Sequence, residues 1–441
     1  MNRWRTSLTE RISYGLSDAA DNLVFQMMTT YLLFFYTDVF GLTASEVAVL
    51  FVVARVADVF ESLIIGVMID NTHSKWGKSR PFFLWYAFPY VIFAILTFVT
   101  PNFLPHSGKL VWAYVTYLAL GFLYTAVNLP ITSILPTMTD NEQETTLLGV
   151  IRQFFGSSVQ IIVGTFTIPL VALFGRGDQQ KGFLGTIILF GIISLALILN
   201  TFFHVRERFT DKTISHQPVK SVWNMLKQNK PWMVISVVIF LYWLTTSIKN
   251  QTTIYYFKYV IKDENLVSWA NGFTFTALIG VVAIYFVSAK LGKKNTMLLG
   301  IVTGFIGQVI ISIGAYTEHI PTIFTGVFIN SIGNGFIIGL VSIMIADTIR
   351  YGTSMGIQAE GVLASTDDFG VNLGLGLGGL ITAGSLDVSG YSSNQAQSAN
   401  AISAINLNYA LIPLALYVIM FLVLLLYNET KINTAIKKNT N

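Results

Sequence analysis

The chain has no cysteine, so it forms no disulfide, offers no thiol nucleophile and builds no cysteine-based metal site. Charge is nearly as scarce. Asp, Glu, Lys and Arg make up 11% of the 441 residues, where soluble domains carry about 25%. A chain this poor in charge cannot coat a water-facing surface of its own size. Histidine is also rare, no apolar run holds a His pair at metal-ligand spacing, and no phosphate-binding P-loop pattern occurs. These shortages argue against a membrane-embedded enzyme and against a nucleotide-driven pump. No cleavable leader is expected, because the first strongly apolar run leads straight into further ones.

What the chain has in plenty is apolar sequence, 53% of residues with a mean hydropathy of +0.61. A helix needs about 20 mostly apolar residues to cross the hydrocarbon core. Such runs are placed at 13–37, 43–69, 82–101, 110–136, 146–174, 183–204, 232–256, 266–289, 296–316, 321–348, 359–386 and 406–427. They predict an all-α membrane protein of twelve transmembrane helices. The longest polar connection, 205–231, is too short for a domain and divides the spans six and six. The expected organisation is an N-terminal half over 1–204, a linker with an amphipathic helix near Val222 to Leu226, a C-terminal half over 232–427 and a tail over 428–441. Two six-helix halves around a central mid-membrane site is the major facilitator plan.

Lys and Arg gather at one set of span ends: Arg3, Arg5 and Arg11, then Lys75, Lys78 and Arg80, the linker, Lys290, Lys293 and Lys294, Arg350, and Lys431, Lys437 and Lys438. The opposite ends carry only Lys109, Arg176, Lys181, Lys258 and Lys262. The basic ends, both termini included, are expected in the cytoplasm of a multi-pass cell-membrane protein. The pI near 9.0 accompanies a net charge of only +4, spread over short loops, so the lipid bilayer and not nucleic acid is the expected partner.

The second span, over 43–69, breaks the apolar rule with Arg55, Asp58 and Glu61 in its middle. A charge at bilayer centre costs ~2.5–3.5 kcal/mol unless it faces protein or water. Asp58 and Glu61, three apart, project from one helix face with Arg55 a turn earlier. One cation cannot neutralise two acids, so the arrangement reads as a site that binds or moves a charge. A purely structural ion pair with Arg55 is the plainer alternative.

Beyond this span the chain resembles a known family. Asp70-Asn71-Thr72-His73-Ser74-Lys75-Trp76-Gly77-Lys78-Ser79-Arg80-Pro81 is similar to the loop after the second helix of glycoside–pentoside–hexuronide:cation symporters, relatives of the melibiose permease. Further matches are Ser13-Tyr14-Gly15-Leu16-Ser17-Asp18, Ala54-Arg55-Val56-Ala57-Asp58, Tyr124-Thr125 with Asn128-Leu129-Pro130, Gly292-Lys293-Lys294-Asn295, and Ala346-Asp347-Thr348 with Tyr351-Gly352. The resemblance covers nearly the whole chain. It implies sugar or glycoside symport driven by a proton or sodium gradient, with no cofactor besides that coupling ion.

Carried over residue by residue, the family's cation site falls on Asp58, Glu61, Ser62 and Thr125. Ser62 stands where the family has a second aspartate, and Glu61 is the candidate replacement for its charge, which leaves the ion open between proton and sodium. The sugar site maps to Asp21 and Asn22, to Tyr124, Asn128 and Thr132, to Arg152, and to Asp367, Asp368 and Asn372. Asn22 and Asn128 replace aspartates of the melibiose permease, Thr132 its tryptophan and Asn372 its lysine, so the substrate is expected to differ from melibiose. Asp70, Lys75, Lys78 and Arg80 are the expected cytoplasmic gate.

Two readings stay open. Arg152 is a partner of Asp18 or Asp21, or a sugar ligand. Lys249 contacts substrate, pairs with Asp367 or Asp368, or snorkels to an interface. The glycines from Gly370 to Gly379 read as helix packing and not as a nucleotide loop. Rival functions are a lysolipid flippase of the same fold, against which the polar set argues, and a sugar sensor that does not transport.

Overall fold

The computed structural model describes residues 5–139, 141–208, 229–354 and 360–430, with 432 and 434. The linker helix expected near Val222 to Leu226 and most of the tail fall outside the described residues. The chain divides into two compact units, Met1–Thr213 and Ile214–Asn441.

The first unit holds α1 (Leu8–Phe34, continued by a π-helical turn over Phe35–Phe40), α2 (Ala44–Asn71), α3 (Arg80–Trp85), α4 (Ala87–Thr97), α5 (His106–Met138), α6 (Glu142–Gly175) and α7 (Gln179–His204). The second holds α8 (Lys230–Tyr255, continued by a π-helical turn over Tyr256–Ile261), α9 (Leu266–Gly272), α10 (Ala277–Tyr316), α11 (Ile320–Ser354), α12 (Glu360–Val388), α13 (Ala399–Asn406) and α14 (Ile412–Leu425). Local chemistry sets several helix starts. Ser7 Oγ accepts from Glu10 N, Asp178 caps α7, and Thr43 with Glu46 forms a capping box at α2.

Nine helical segments among the described residues are long and apolar enough to cross a membrane. The segment Leu266–Tyr316 contains two crossings, because the chain reverses at Gly292 (φ 79°, ψ 168°). Gly280 before the break and Gly300 after it both press on Phe336 of α11. The 28-residue α2 is long enough but carries its charges, and the crossing made by α3 and α4 is interrupted at Tyr86. With these added, the described residues are consistent with the twelve expected spans.

Several polar groups in the spans are satisfied internally, as a lipid environment favours. Buried tyrosines end on backbone carbonyls: Tyr14 on Ile131 at 3.1 Å, Tyr31 on Gly164 at 2.8 Å and Tyr256 on Ala315 at 3.0 Å. The glycine run of α12 is a packing face. Gly370 abuts Ser236 and Ile239, Gly374 abuts Phe240 to Leu244, and Gly378 abuts Ser247 and Ile248, so α12 and α8 run alongside each other in the same direction.

Candidate substrate and cation sites

Helical spacing assembles the polar cluster of the first unit. Asp18, Asn22 and Phe25 recur on α1; Tyr124, Asn128 and Thr132 recur every fourth residue on α5; Arg152, Gly156 and Gln160 do so on α6. Arg152 resolves toward Asp18: its Nε lies 2.7 Å from Asp18 Oδ1, and its Nη1 donates to Thr132 Oγ1 at 3.0 Å. Asn22 Nδ2 donates to the Asp18 carbonyl at 2.8 Å and to Asp18 Oδ2 at 3.2 Å, and Gln160 Nε2 donates to Asn22 Oδ1 at 3.1 Å. Gly156 leaves room for this network, since a Cβ there would collide with the Asp18 carboxylate. The Tyr124 ring stacks on Phe25 at 4.7 Å and 16°.

Asp21 is placed differently from its neighbours. It is fully buried, accepts from Asn128 Nδ2 at 2.6 Å, and its Oδ1 has no partner among the described residues. Its geometry orients Asn128, whereas Arg152, Asn22, Asn128 and Tyr124 keep partly exposed surface for a ligand. In the second unit Asn372 is exposed on α12. Asp367 and Asp368 occupy the same helix, but their side chains lie outside the described residues.

The charges of α2 meet α5. Arg55 Nη1 pairs with Asp58 Oδ2 at 2.9 Å, and its Nη2 lies 3.5 Å from the Tyr117 hydroxyl. Glu61 is 8% exposed, and its Oε2 has no partner among the described residues. A Cβ built on Gly121 would sit 3.4 Å from Glu61 Oε2 and 3.8 Å from Asp58 Oδ1, so both carboxylates converge on that bare stretch of α5. Tyr117 and Thr125 flank Gly121 one turn away on either side of the same stripe. Ser62 is exposed, at the edge of this buried face of α2. The arrangement leaves one neutralised acid beside one acid free to take a cation.

The basic end of the first unit is built around a residue that sequence reasoning missed, Glu207. Its carboxylate accepts the backbone N–H groups of Lys78 (2.9 Å), Ser79 (2.7 Å) and Arg80 (2.8 Å). It occupies the space a side chain would fill at Gly77, whose φ of 107° also favours glycine. Arg80 Nε donates to the Phe202 carbonyl at 2.7 Å, and Lys75 lies over the Trp76 ring at 4.8 Å. Asp70, expected in this lock, is exposed and has no ion pair among the described residues. The second unit repeats the device: Glu429 accepts from Lys293 N (3.0 Å) and Lys294 N (2.9 Å) beside Gly292, while Lys293 Nζ pairs with Asp347 at 2.5 Å. No local signal marks either glutamate, because each partner turn is more than a hundred residues away in sequence. Gln160 was missed as well, although the period-four series it shares with Arg152 is a signal that marks it.

Glu207→Ala is expected to lower stability by about 2–4 kcal/mol, because three backbone donors lose a charged acceptor. A thermal melt of the purified protein in detergent measures it, and Glu207→Gln should lose less because it keeps one acceptor oxygen.

This fold and these clusters define a polytopic membrane transporter rather than an enzyme. The chain belongs to the MFS/sugar transport protein family, whose pattern matches residues 13–431. It is 41% identical over 428 residues to the isoprimeverose transporter of Lactiplantibacillus pentosus, covering 96% of this chain and 89% of that protein. It is 32% identical to the "Uncharacterized symporter YnaJ" of Bacillus subtilis, covering 99% and 96% of the two chains. It is 29% identical to the glucuronide carrier protein homolog of Escherichia coli, covering 97% and 93%. Among solved structures, the nucleoside transporter NupG (TM-score 0.64, 15% identity, 96% and 100% covered) and a D-xylose–proton symporter (TM-score 0.63, 12% identity, 92% and 95% covered) share its fold.

Proposed function

We propose that this protein is a secondary transporter that carries a glycoside across the cell membrane together with a proton, by alternating access, with its basic helix ends in the cytoplasm. The relatives named as an isoprimeverose transporter, a symporter and a glucuronide carrier support sugar symport. The observation that carries the coupling is Glu61, a buried carboxylate with an unpartnered oxygen beside an Asp58 already neutralised by Arg55.

A proton suits this geometry better than sodium. Sodium needs several converging oxygens, whereas Ser62 stays exposed and Arg55 occupies Asp58. Asp21 is a poorer carrier, because a carried proton must exchange with water and Asp21 is fully enclosed. The sugar binds where Arg152, Asn22, Asn128 and Tyr124 present donors and an aromatic face, the menu that hydroxyl-rich ligands require.

The test is uptake into proteoliposomes of a labelled panel of isoprimeverose, xylosides, galactosides and glucuronides, under a proton gradient, a sodium gradient or neither. Accumulation driven by the proton gradient alone supports the reading. Accumulation driven only by sodium overturns the ion assignment, and binding without accumulation leaves a sensor.

A further inference from the structure

The second unit contains a cation that the coupling and sugar clusters above do not use. Lys249 lies in α8, ~18 Å along the helix axis from the end of the following π-helical turn at Ile261. A lysine side chain cannot span that distance to reach an interface. It turns inward instead, with Nζ donating to Asn330 Oδ1 at 2.7 Å. Pairing with Asp367 or Asp368 is excluded by register. With Gly370, Gly374 and Gly378 set against Ser236 to Ile248, backbone positions 367 and 368 are level with the early turns of α8, ~20 Å before Lys249.

The network that receives Lys249 closes without it. Asn330 Nδ2 donates to the Gly304 carbonyl (2.7 Å) and to the Tyr417 hydroxyl (3.0 Å). Tyr417 donates to Asn334 Oδ1 (2.6 Å), and Asn334 Nδ2 donates back to Asn330 Oδ1 (3.2 Å). Asn330 is 1% exposed, whereas Lys249 is only partly buried, at the margin of this neutral amide–phenol ring. An ammonium has three donors, and one is used here. No ion pair compensates the charge among the described residues. A charge at this depth is costly, and the packing around it does not need it.

We propose that Lys249 is a substrate-binding residue of the second unit, aimed by Asn330 at an acceptor oxygen of the transported glycoside. This rests on the sugar-transport reading above. Asn330 acts as a positioning residue, holding one donor so that the others point away from the ring. The ligand group is a ring hydroxyl or a carboxylate of a uronide, and a neutral and an acidic probe distinguish the two.

Binding of isoprimeverose and of a glucuronide to the purified protein is measured for wild type, Lys249→Met and Lys249→Arg. Loss of one charge-assisted hydrogen bond predicts a ~10- to 150-fold weaker Kd in Lys249→Met with an unchanged melting temperature, and a smaller loss in Lys249→Arg. Loss for both probes identifies a hydroxyl; loss confined to the glucuronide identifies the carboxylate. A Lys249→Met protein that binds both probes like wild type overturns the proposal. Should Lys249→Met fail to fold, wild-type protein is acetylated with and without saturating sugar and Lys249 is followed by mass spectrometry. Protection supports the contact, and equal modification overturns it. Wild-type binding without protection refutes the lysine alone; no wild-type binding to any sugar refutes the transport reading and the lysine with it.

Discussion

Glu61→Gln is expected to abolish accumulation while sugar exchange survives: in proteoliposomes under a proton gradient the internal-to-external sugar ratio should fall to unity, yet counterflow of labelled against unlabelled sugar should continue. The reason lies in the pairing on α2. Arg55 sits 2.9 Å from Asp58, so that carboxylate is already balanced. Glu61 Oε2 faces the Gly121 stretch with no partner. A glutamine there resembles the protonated acid in shape and charge, so the carrier is locked in its loaded form. On the proposed mechanism it would move sugar in either direction and could not release a proton to drive the cycle. Wild-type accumulation ratios in Glu61→Gln would sink the assignment. Asp58→Asn has a different expected signature, since it strands Arg55 beside Glu61 and should lower stability as well as coupling.

The second large effect is expected at Arg152. Asp18 and Arg152 form a half-buried ion pair, and removing one partner of such a pair costs about 3–5 kcal/mol when the other charge is left behind. Asp18→Asn and Arg152→Met should therefore each depress the melting temperature, while the double variant recovers part of the loss. Sugar affinity separates structure from recognition. If Arg152 also donates to the sugar, the double variant remains ~10- to 150-fold weaker in Kd after its stability returns. A double variant that binds normally would make Arg152 purely a partner of Asp18.

Much of this molecule was legible in one dimension because bilayer physics writes itself into composition. Apolar runs separated by short basic loops gave the spans, and charges within a span marked Asp58 and Glu61. The family resemblance, and not helical spacing, grouped Asn22, Asn128 and Arg152 before any coordinates did. The structure supplied contacts that depend on distant partners. Asp18 rather than Asp21 takes Arg152, because Gly156 lets α1 and α6 approach at that level. The turn from Gly77 to Arg80 is held by Glu207 instead of Asp70, an acid whose role cannot be read from its own neighbourhood. Lys249 stood open among a substrate contact, an acid partner and snorkelling until the register of α8 against α12 fixed its depth.

The salt link between Arg55 and Asp58 has an electrical consequence. Under the proton coupling proposed above, and with that pair summing to zero, the coupling site would carry one negative charge when Glu61 is empty and none when it is protonated. For an uncharged sugar, the loaded passage across the membrane is then electroneutral, and the return of the empty carrier moves the charge. Membrane voltage is worth about 2.3 kcal/mol per elementary charge per 100 mV. A negative interior expels the empty, anionic form outward and so accelerates the return leg, while affinity for the sugar at the outer face is left unaltered.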